Sequence, residues 1–428
     1  MRLVNKIPAG ALQLVVFIGV VIAIILASFV VLAYVNMKFS KQTNLLIDTV
    51  DYANLGIQIG LVEDYPIRDT IPLSFEDTGL ENLKLYKNSW GIYETLTTVS
   101  SIKKNKIINH AFIGSTFKKN NRTGLYLADD QQPLVVVGNT YISGKNYLPK
   151  QGIKPGIISG VRYYGSQLAY GKTSESEQRL PVISSKITSE IYRLRNVLNE
   201  IDAAFIESFS SSLSLKNSFK ENLKILYSTE AITLENASLI GHIVIFSDTK
   251  ITVNESSSLL DVILVAPKIE IQSNFKGNLQ AIASENISLG DNTILKYPSA
   301  LVLYNESVNT SEVKERNVVL SKNTQINGQI IVVLPKNKLT KYEPQLKLNN
   351  NTIVNGEVYC NQNVEHLGTV NGSLYAKRFI SKQAGSVYIN HIYNGRIDAK
   401  GLSADYVGLN FEKPSGKKLA TLDPNCPI

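Results

Sequence analysis

The residues from Ile7 to Met37 constrain this chain most: thirty-one positions, IPAGALQLVVFIGVVIAIILASFVVLAYVNM, without one charged side chain. The hydrocarbon core of a bilayer takes about 20 apolar residues as helix. Ala11–Val35 supplies twenty-five, interrupted only by Gln13 and Ser28. Its many Val and Ile are no obstacle in lipid, where a helix satisfies its own backbone and an open strand cannot. A cleaved secretory signal is the alternative, but its apolar core spans about 7–15 residues and ends in small residues. Here the run ends in Tyr34 and Val35.

The expectation is therefore a short basic leader, 1–10, and one transmembrane helix touching the lipid bilayer through Ala11–Val35. A juxtamembrane helix extends to about residue 60, either as one rod or after a break. Leu46, Val50, Ala53 and Ile57 recur on one helical face. Gly56 and Gly60 weaken that pattern and Pro66 ends it. Arg2 and Lys6 before the helix, with Lys38 and Lys41 after it, leave the positive-inside count nearly tied. The exported character of the chain beyond the helix places the N-terminus inside.

The net charge of +8 is spread thinly, with no basic block longer than a pair such as Lys103-Lys104. That describes a solvated surface and gives no footing for nucleic acid. His110, His242, His366 and His391 are scattered and only Cys360 and Cys426 are present, too few for a zinc site. The two cysteines either pair, tying the C-terminal tail to the body for about 3–4 kcal/mol, or stand as separate thiols. No phosphate-binding glycine motif occurs. The chain reads as a non-enzyme, with no catalytic, cofactor or metal residue to name.

Most of the rest reads as β. Residues 63–121 form a small meander, with Asn82–Tyr86 and Gly91–Leu96 as partner strands around Asn88-Ser89 and Trp90 as a packing anchor. Residues 125–181 carry glycines at 138, 144, 152, 156, 160, 165 and 171, read as tight turns. Tyr147, Tyr163, Tyr164 and Tyr170, among Lys145, Arg162 and Lys172, offer a second reading as a stacking platform for sugar or base rings. Over 182–209, Ile187, Ile191, Leu194, Leu198, Ile201 and Phe205 share one helical face, predicting an amphipathic helix of about six turns against the β body.

From 222 to 402 the chain repeats. Ile232, Ile251, Ile269 and Ile287 open short strands 19, 18 and 18 residues apart, and INGQIIVV, VNGEVYCN and VNGSLYAK return later. Short strands at a fixed period predict a β-solenoid, each layer stacking its inward residues on the next; an antiparallel sandwich would not require the spacing. The expected interior columns are Ile232, Ile251, Ile269 and Ile287, and Ile243, Ile263 and Leu279. Asn-x-Ser/Thr triplets at Asn121, Asn236, Asn254, Asn286, Asn305, Asn309, Asn350 and Asn371 fit turn chemistry. Residues 403–428, rich in proline, predict an irregular tail.

These residues carry two resemblances. The basic leader, then Gly10, Ala11 and Leu12 opening the apolar run, resembles type IV pilins and pseudopilins, its minor pilins above all. The resemblance implies cleavage between Gly10 and Ala11, and pilin-like or envelope proteins as partners. The family's major subunits carry Glu at the fifth mature position, where this chain has Val15. The repeats are similar in style to right-handed parallel β-helices of the pectate-lyase-like proteins, which implies the handedness, and to the polymer-forming bactofilins. An enzyme of the former kind would need clustered acidic ligands, whereas Asp248, Asp261 and Asp291 are isolated.

Together these give a mainly β protein: a right-handed parallel β-solenoid ectodomain, one N-terminal transmembrane helix and one amphipathic helix. The expected function is that of a single-pass structural or assembly protein of the bacterial inner membrane, its ectodomain in the periplasm or at the cell surface. The alternatives are a membrane-displayed solenoid that binds or cleaves carbohydrate, and a cytoplasm-facing bactofilin-like scaffold.

Overall fold

The computed structural model describes residues 9–63, 65–73, 81–116, 121–199, 206–208, 213–305, 315–335, 342–412 and 417–422. The fold is mainly β behind a long apolar helix. The chain divides into two compact units, Met1–Lys87 with Leu96–His110, and Asn88–Thr95 with Ala111–Ile428.

The first unit is built on α1, Ala9–Val62, 54 residues without a break. At 1.5 Å per residue it is about 80 Å long, so the apolar run and the helix that follows it are one rod. Residues 10–44 are exposed throughout, and burial begins at Thr49. From there α1 packs on the sheet residues Leu83, Leu85, Leu96 and Thr98. Gly56 and Gly60, which interrupt the apolar face in sequence, are the points of closest approach. A Cβ at Gly56 would lie 2.8 Å from Thr98 Cγ2, and one at Gly60 2.5 Å from Leu96 Cδ2. Thr98 Oγ1 donates to the Ala53 carbonyl at 2.8 Å, and Asn109 Nδ2 to Asn54 Oδ1 at 2.9 Å.

The expected meander is present as strands Asp69–Leu73, Glu81–Trp90, Tyr93–Ile102 and Asn105–Thr116, adjacent in that order. A fifth strand, Lys417–Leu422, pairs antiparallel with Asn105–Thr116. The tail is thus not irregular throughout.

The second unit is an array of parallel strands. Ile232 pairs with Ile251, Ile251 with Ile269 and Ile269 with Ile287, as the repeat spacing predicts. The column continues through Val318, Leu346, Val364 and Phe379. All eight residues are within 1 % of full burial, in one interior core. The second expected column is corrected by one residue. Val262, rather than Ile263, pairs with Leu279, and Ile263 pairs with Val244 and Gln280 on the opposite face. Val262-Ile263-Leu264-Val265 is apolar on both faces because both are covered, so alternation cannot reveal the register.

The outer cover is supplied by α2, Ser185–Arg195. Its Ile187, Ile191 and Leu194 lie in a second core with Val244, Ile263, Val265 and Ile282. The helix is shorter than 182–209. The Ser184 side chain caps it by accepting from the Lys186 amide, and it ends at Asn196 before a 3₁₀ turn, Val197–Asn199. Leu198 is partly buried there, while Ile201 and Phe205 lie outside the described residues.

The glycine-rich region joins the same array. Leu125 pairs with Leu374, Tyr126 with Tyr375, Tyr147 with Tyr126 and Ser174 with Tyr147, all in parallel. Strands Thr123–Leu127, Lys145–Leu148 and Thr173–Glu175 therefore stack in that order beyond Thr369–Gln383, while Ile206–Ser208 pairs with the residues around Leu226 at the opposite end. Gly138, Gly144, Gly152, Gly160 and Gly171 take positive φ. At the turns of the repeats Asn274, Asn292, Asn323 and Asn351 all hold φ of 58–64°, which Asn tolerates. Their side chains link one to the next at 3.1–3.3 Å.

Candidate functional site

The residues singled out in the sequence for processing, Gly10 and Ala11, stand in the first turn of α1, both exposed; residues 1–8 lie outside the described residues. Beyond them every large apolar side chain from Leu12 to Phe39 is at least 38 % exposed. Folded soluble surfaces rarely leave contiguous apolar patches of more than a few hundred Å², and here about 28 successive residues are bare on every face. The helix is long and apolar enough to cross a membrane, and none of its most apolar window is buried in the protein. Ser28 turns its hydroxyl back onto the Ile24 carbonyl at 2.8 Å, so it presents no unmet donor to an apolar surrounding.

A second constellation, buried this time, was not foreseen from the sequence. The strands of the array align Gln280, Ala300, Gln329, Glu357 and Ser373 in one column on the outer face. Two chain segments cross this column and bond to it. Gln280 brackets the first, its Nε2 donating to the Trp90 carbonyl and its Oε1 accepting from the Ile92 amide, both at 2.9 Å. Tyr93 adds a bond from its hydroxyl to the Ser299 carbonyl at 2.9 Å. The second segment, residues 402–412, is held by Gln329 Nε2 on the Val407 carbonyl at 3.2 Å and by the Leu409 amide on Glu357 Oε2 at 2.6 Å. Tyr406 donates to the Gly328 carbonyl at 2.9 Å, and Arg122 spans the Leu402 and Ser403 carbonyls at 3.1 and 3.0 Å.

This strap also bonds away from the column. Gly408 and Ser115 exchange backbone bonds, the Ser184 amide donates to the Asn410 carbonyl, and Asn410 Nδ2 donates to Glu94 Oε1 at 3.1 Å. The sequence carried a signal for the column, the residue after each Asn-Gly in INGQ, VNGE and VNGS. The glycines themselves allow the strands to approach: a Cβ on Gly328, Gly356 or Gly372 would overlap the carbonyl of the preceding layer. The asparagines before them form a side-chain ladder, Asn371 to Asn355 at 2.8 Å and Asn355 to Asn327 at 2.7 Å.

Burial governs the electrostatics here. Glu357, 1 % exposed, is pushed up to about 7 by desolvation, against the pull of the Leu409 amide, Arg122 and Ser373. Tyr93, Tyr375 and Tyr406 are all driven upward, mainly by burial, and stay neutral.

The remaining sequence candidates are placed as follows. Trp90 is 9 % exposed and meets Phe219 and His242 edge-on at 5.1 and 5.0 Å. Tyr147 continues a row of outward tyrosines through Tyr126, Tyr375 and Tyr359. Tyr170 stacks on Tyr141 at 4.9 Å with Arg396 over the latter ring, Tyr163 bonds to the Gln167 carbonyl, and Tyr164 is exposed. Cys360 is fully buried in the interior core, its thiol pushed up to about 12 by desolvation; Cys426 lies outside the described residues. Asp248 accepts from Tyr227, Asp261 from Asn278 and Asp291 from the Lys322 amide, each at its own turn. Among the described residues no group of three or more His, Cys, Asp or Glu is placed to hold a metal ion.

No known family profile matches the chain, and no curated protein does. Among solved structures, the competence-associated pilin ComZ from Thermus thermophilus matches at 10% identity, over 88% of this chain and 97% of that one, with a TM-score of 0.20. Agreement that low says nothing of this chain's fold or function.

Proposed function

We propose that this chain is a single-pass, membrane-anchored structural or assembly subunit of a bacterial envelope, pilin-like at its N-terminus, with a right-handed β-solenoid as its ectodomain. The observation that carries the reading is α1: one unbroken helix whose first part is wholly uncovered and apolar and whose last part is the packing partner of a sheet. That division of labour suits a subunit that sits in lipid before assembly and offers the same surface to neighbouring subunits after it. The Gly10-Ala11 junction supports processing at the start of the rod. Parallel pairing at intervals of 18–19 residues supports the solenoid, and the handedness rests on the rule that parallel crossovers are right-handed in about 98% of cases.

The test is the native protein's own terminus. Mass spectrometry of the purified chain from its host should find Ala11 first, and Gly10→Val should leave the leader on. Washing membranes with alkaline carbonate should leave the protein in the pellet, and deletion of Ala11–Val35 should release it. An intact Met1 terminus removes the pilin-like reading, and full-length protein in the carbonate wash removes the anchor.

A further inference from the structure

The strap, residues 402–412, joins parts of the second unit that are otherwise distant in sequence. On the array side are Arg122, Gln329 and Glu357. On the other side are Ser115, Glu94 and the start of α2 at Ser184. We infer that Glu357 makes this strap a pH-responsive latch, fastened while its carboxyl is protonated and loosened when it ionises.

The geometry leaves little alternative for the carboxyl. Both its oxygens lie beneath the strap backbone: Oε2 accepts from Leu409, and a Cβ on Gly408 would stand 3.0 Å from each. At 1 % exposure the side chain is cut off from bulk solvent, so an ionised Glu357 must be answered chiefly by the protein groups around it. Among the described residues the titratable and charged groups that face it are few. Arg122, before strand Thr123–Leu127, is the cation among them, and its Nη atoms are committed to Leu402 and Ser403. From the neighbouring strand comes Tyr375, from the strap Tyr406 and from the crossing segment Tyr93, all held neutral by burial. Glu94, at the strap's other side on Asn410, adds no positive charge. Lifting the strap gives the carboxylate water, the one change that removes its desolvation without breaking the array.

The direction is set by linkage. A carboxyl raised to about 7 in the closed state, against 4.5 in water, holds its proton more tightly when the strap is down. Closure is therefore favoured at low pH and is progressively lost as pH rises from about 4.5 through 7, levelling off above that. Between pH 5 and pH 8 the two values make opening roughly 50- to 100-fold more frequent.

The experiment is hydrogen exchange with mass spectrometry on the full chain in detergent micelles, each rate divided by the intrinsic rate at that pH. Amides of 402–412 should lose roughly 50- to 100-fold in protection between pH 5 and pH 8, while those of Ile251–Val253 change less than threefold. Glu357→Gln, an isostere that still accepts from Leu409, should make strap protection independent of pH. A flat wild-type profile over the strap overturns the latch and needs no variant. A Glu357→Gln profile with the wild-type slope overturns it equally, since the titrating group would lie elsewhere. A parallel loss over Ile251–Val253 would show a global transition and likewise end the proposal.

Discussion

Replacing Gly356 by alanine tests the stacking of the array at its tightest point. The added Cβ would overlap the Gly328 carbonyl oxygen, lie 2.8 Å from that carbonyl's carbon, and sit 2.7 Å from the Tyr406 hydroxyl. Neither neighbour is a flexible side-chain end: one is the backbone of the adjacent strand, and the other is already bonded to that same carbonyl. Forcing the strands apart costs about 1–3 kcal/mol as overpacking. Orphaning the Gly328 carbonyl and the Tyr406 hydroxyl costs about 1–3 kcal/mol more for each that stays dry. With both groups left dry, a sum of about 3–9 kcal/mol predicts roughly 10²- to 10⁶-fold faster amide exchange in strands Gln325–Val333 and Ile353–His366. Global denaturation is the poorer assay, because stacked arrays open locally and need not unfold in one step. Gly152→Ala is the control, since its φ is +71° yet nothing lies within 4 Å of the new Cβ. It should show backbone strain alone, about 1–2 kcal/mol. If Gly356→Ala costs no more than Gly152→Ala, the carbonyl column is not the close contact described, and the layer spacing is wrong.

Ile251→Ala should destabilise the array by about 2–5 kcal/mol in urea titrations, whereas the half-buried neighbour Thr252→Ala should stay within about 0.5 kcal/mol; equal effects would contradict the interior column. Gly60→Ala should lower the thermal midpoint although alanine favours helix by about 1 kcal/mol, because overpacking against Leu96 and Leu85 costs about 1–3 kcal/mol. Gly19→Ala, with nothing within 4 Å, should not lower it, and a matching drop there would refute the packing argument. His366, 2 % exposed and bonded through Nε2 to the Arg396 carbonyl, is pushed down to about 4 by desolvation. A depressed histidine withdraws stability as pH falls from 6.5 toward 4, here by about 3 kcal/mol. Urea titrations at pH 7 and pH 4 should show the wild type losing about 3 kcal/mol more on acidification than His366→Gln, the contribution of Glu357 being common to both.

How much of this was legible depended on whether one face of an element stays exposed. The column Ile232, Ile251, Ile269 and Ile287 could be read because Thr233, Thr252, Glu270 and Ser288 alternate with it. Two residues into the next strand the signal failed, since α2 covers the outer face and Ile263 is as apolar as Val262. The end of α2 has a different cause: Leu198 keeps the helical spacing, but the backbone leaves helical geometry at Asn196, whose φ of −110° and ψ of 13° make it the C-cap. Gly56 and Gly60 looked like weak helix and proved to be contact points, a role visible only once Leu96 and Thr98 are placed. The polar column left a trace after each Asn-Gly, yet nothing in the repeats says that residues 90–93 and 406–409 cross it.

The order in which strands join the array has a consequence for how long the chain takes to become itself. Leu125 finds its partner at Leu374, about 250 residues later. At synthesis rates of about 5–20 residues per second, the glycine-rich segment spends roughly 10–50 s without the strand it must sit upon. Stacked arrays ordinarily grow outward from any layer. In this one the earliest-made layers are among the last that can close, and loss of Thr369–Gln383 would leave Thr123–Leu127 and Arg396–Asp398 without the strand they rest on.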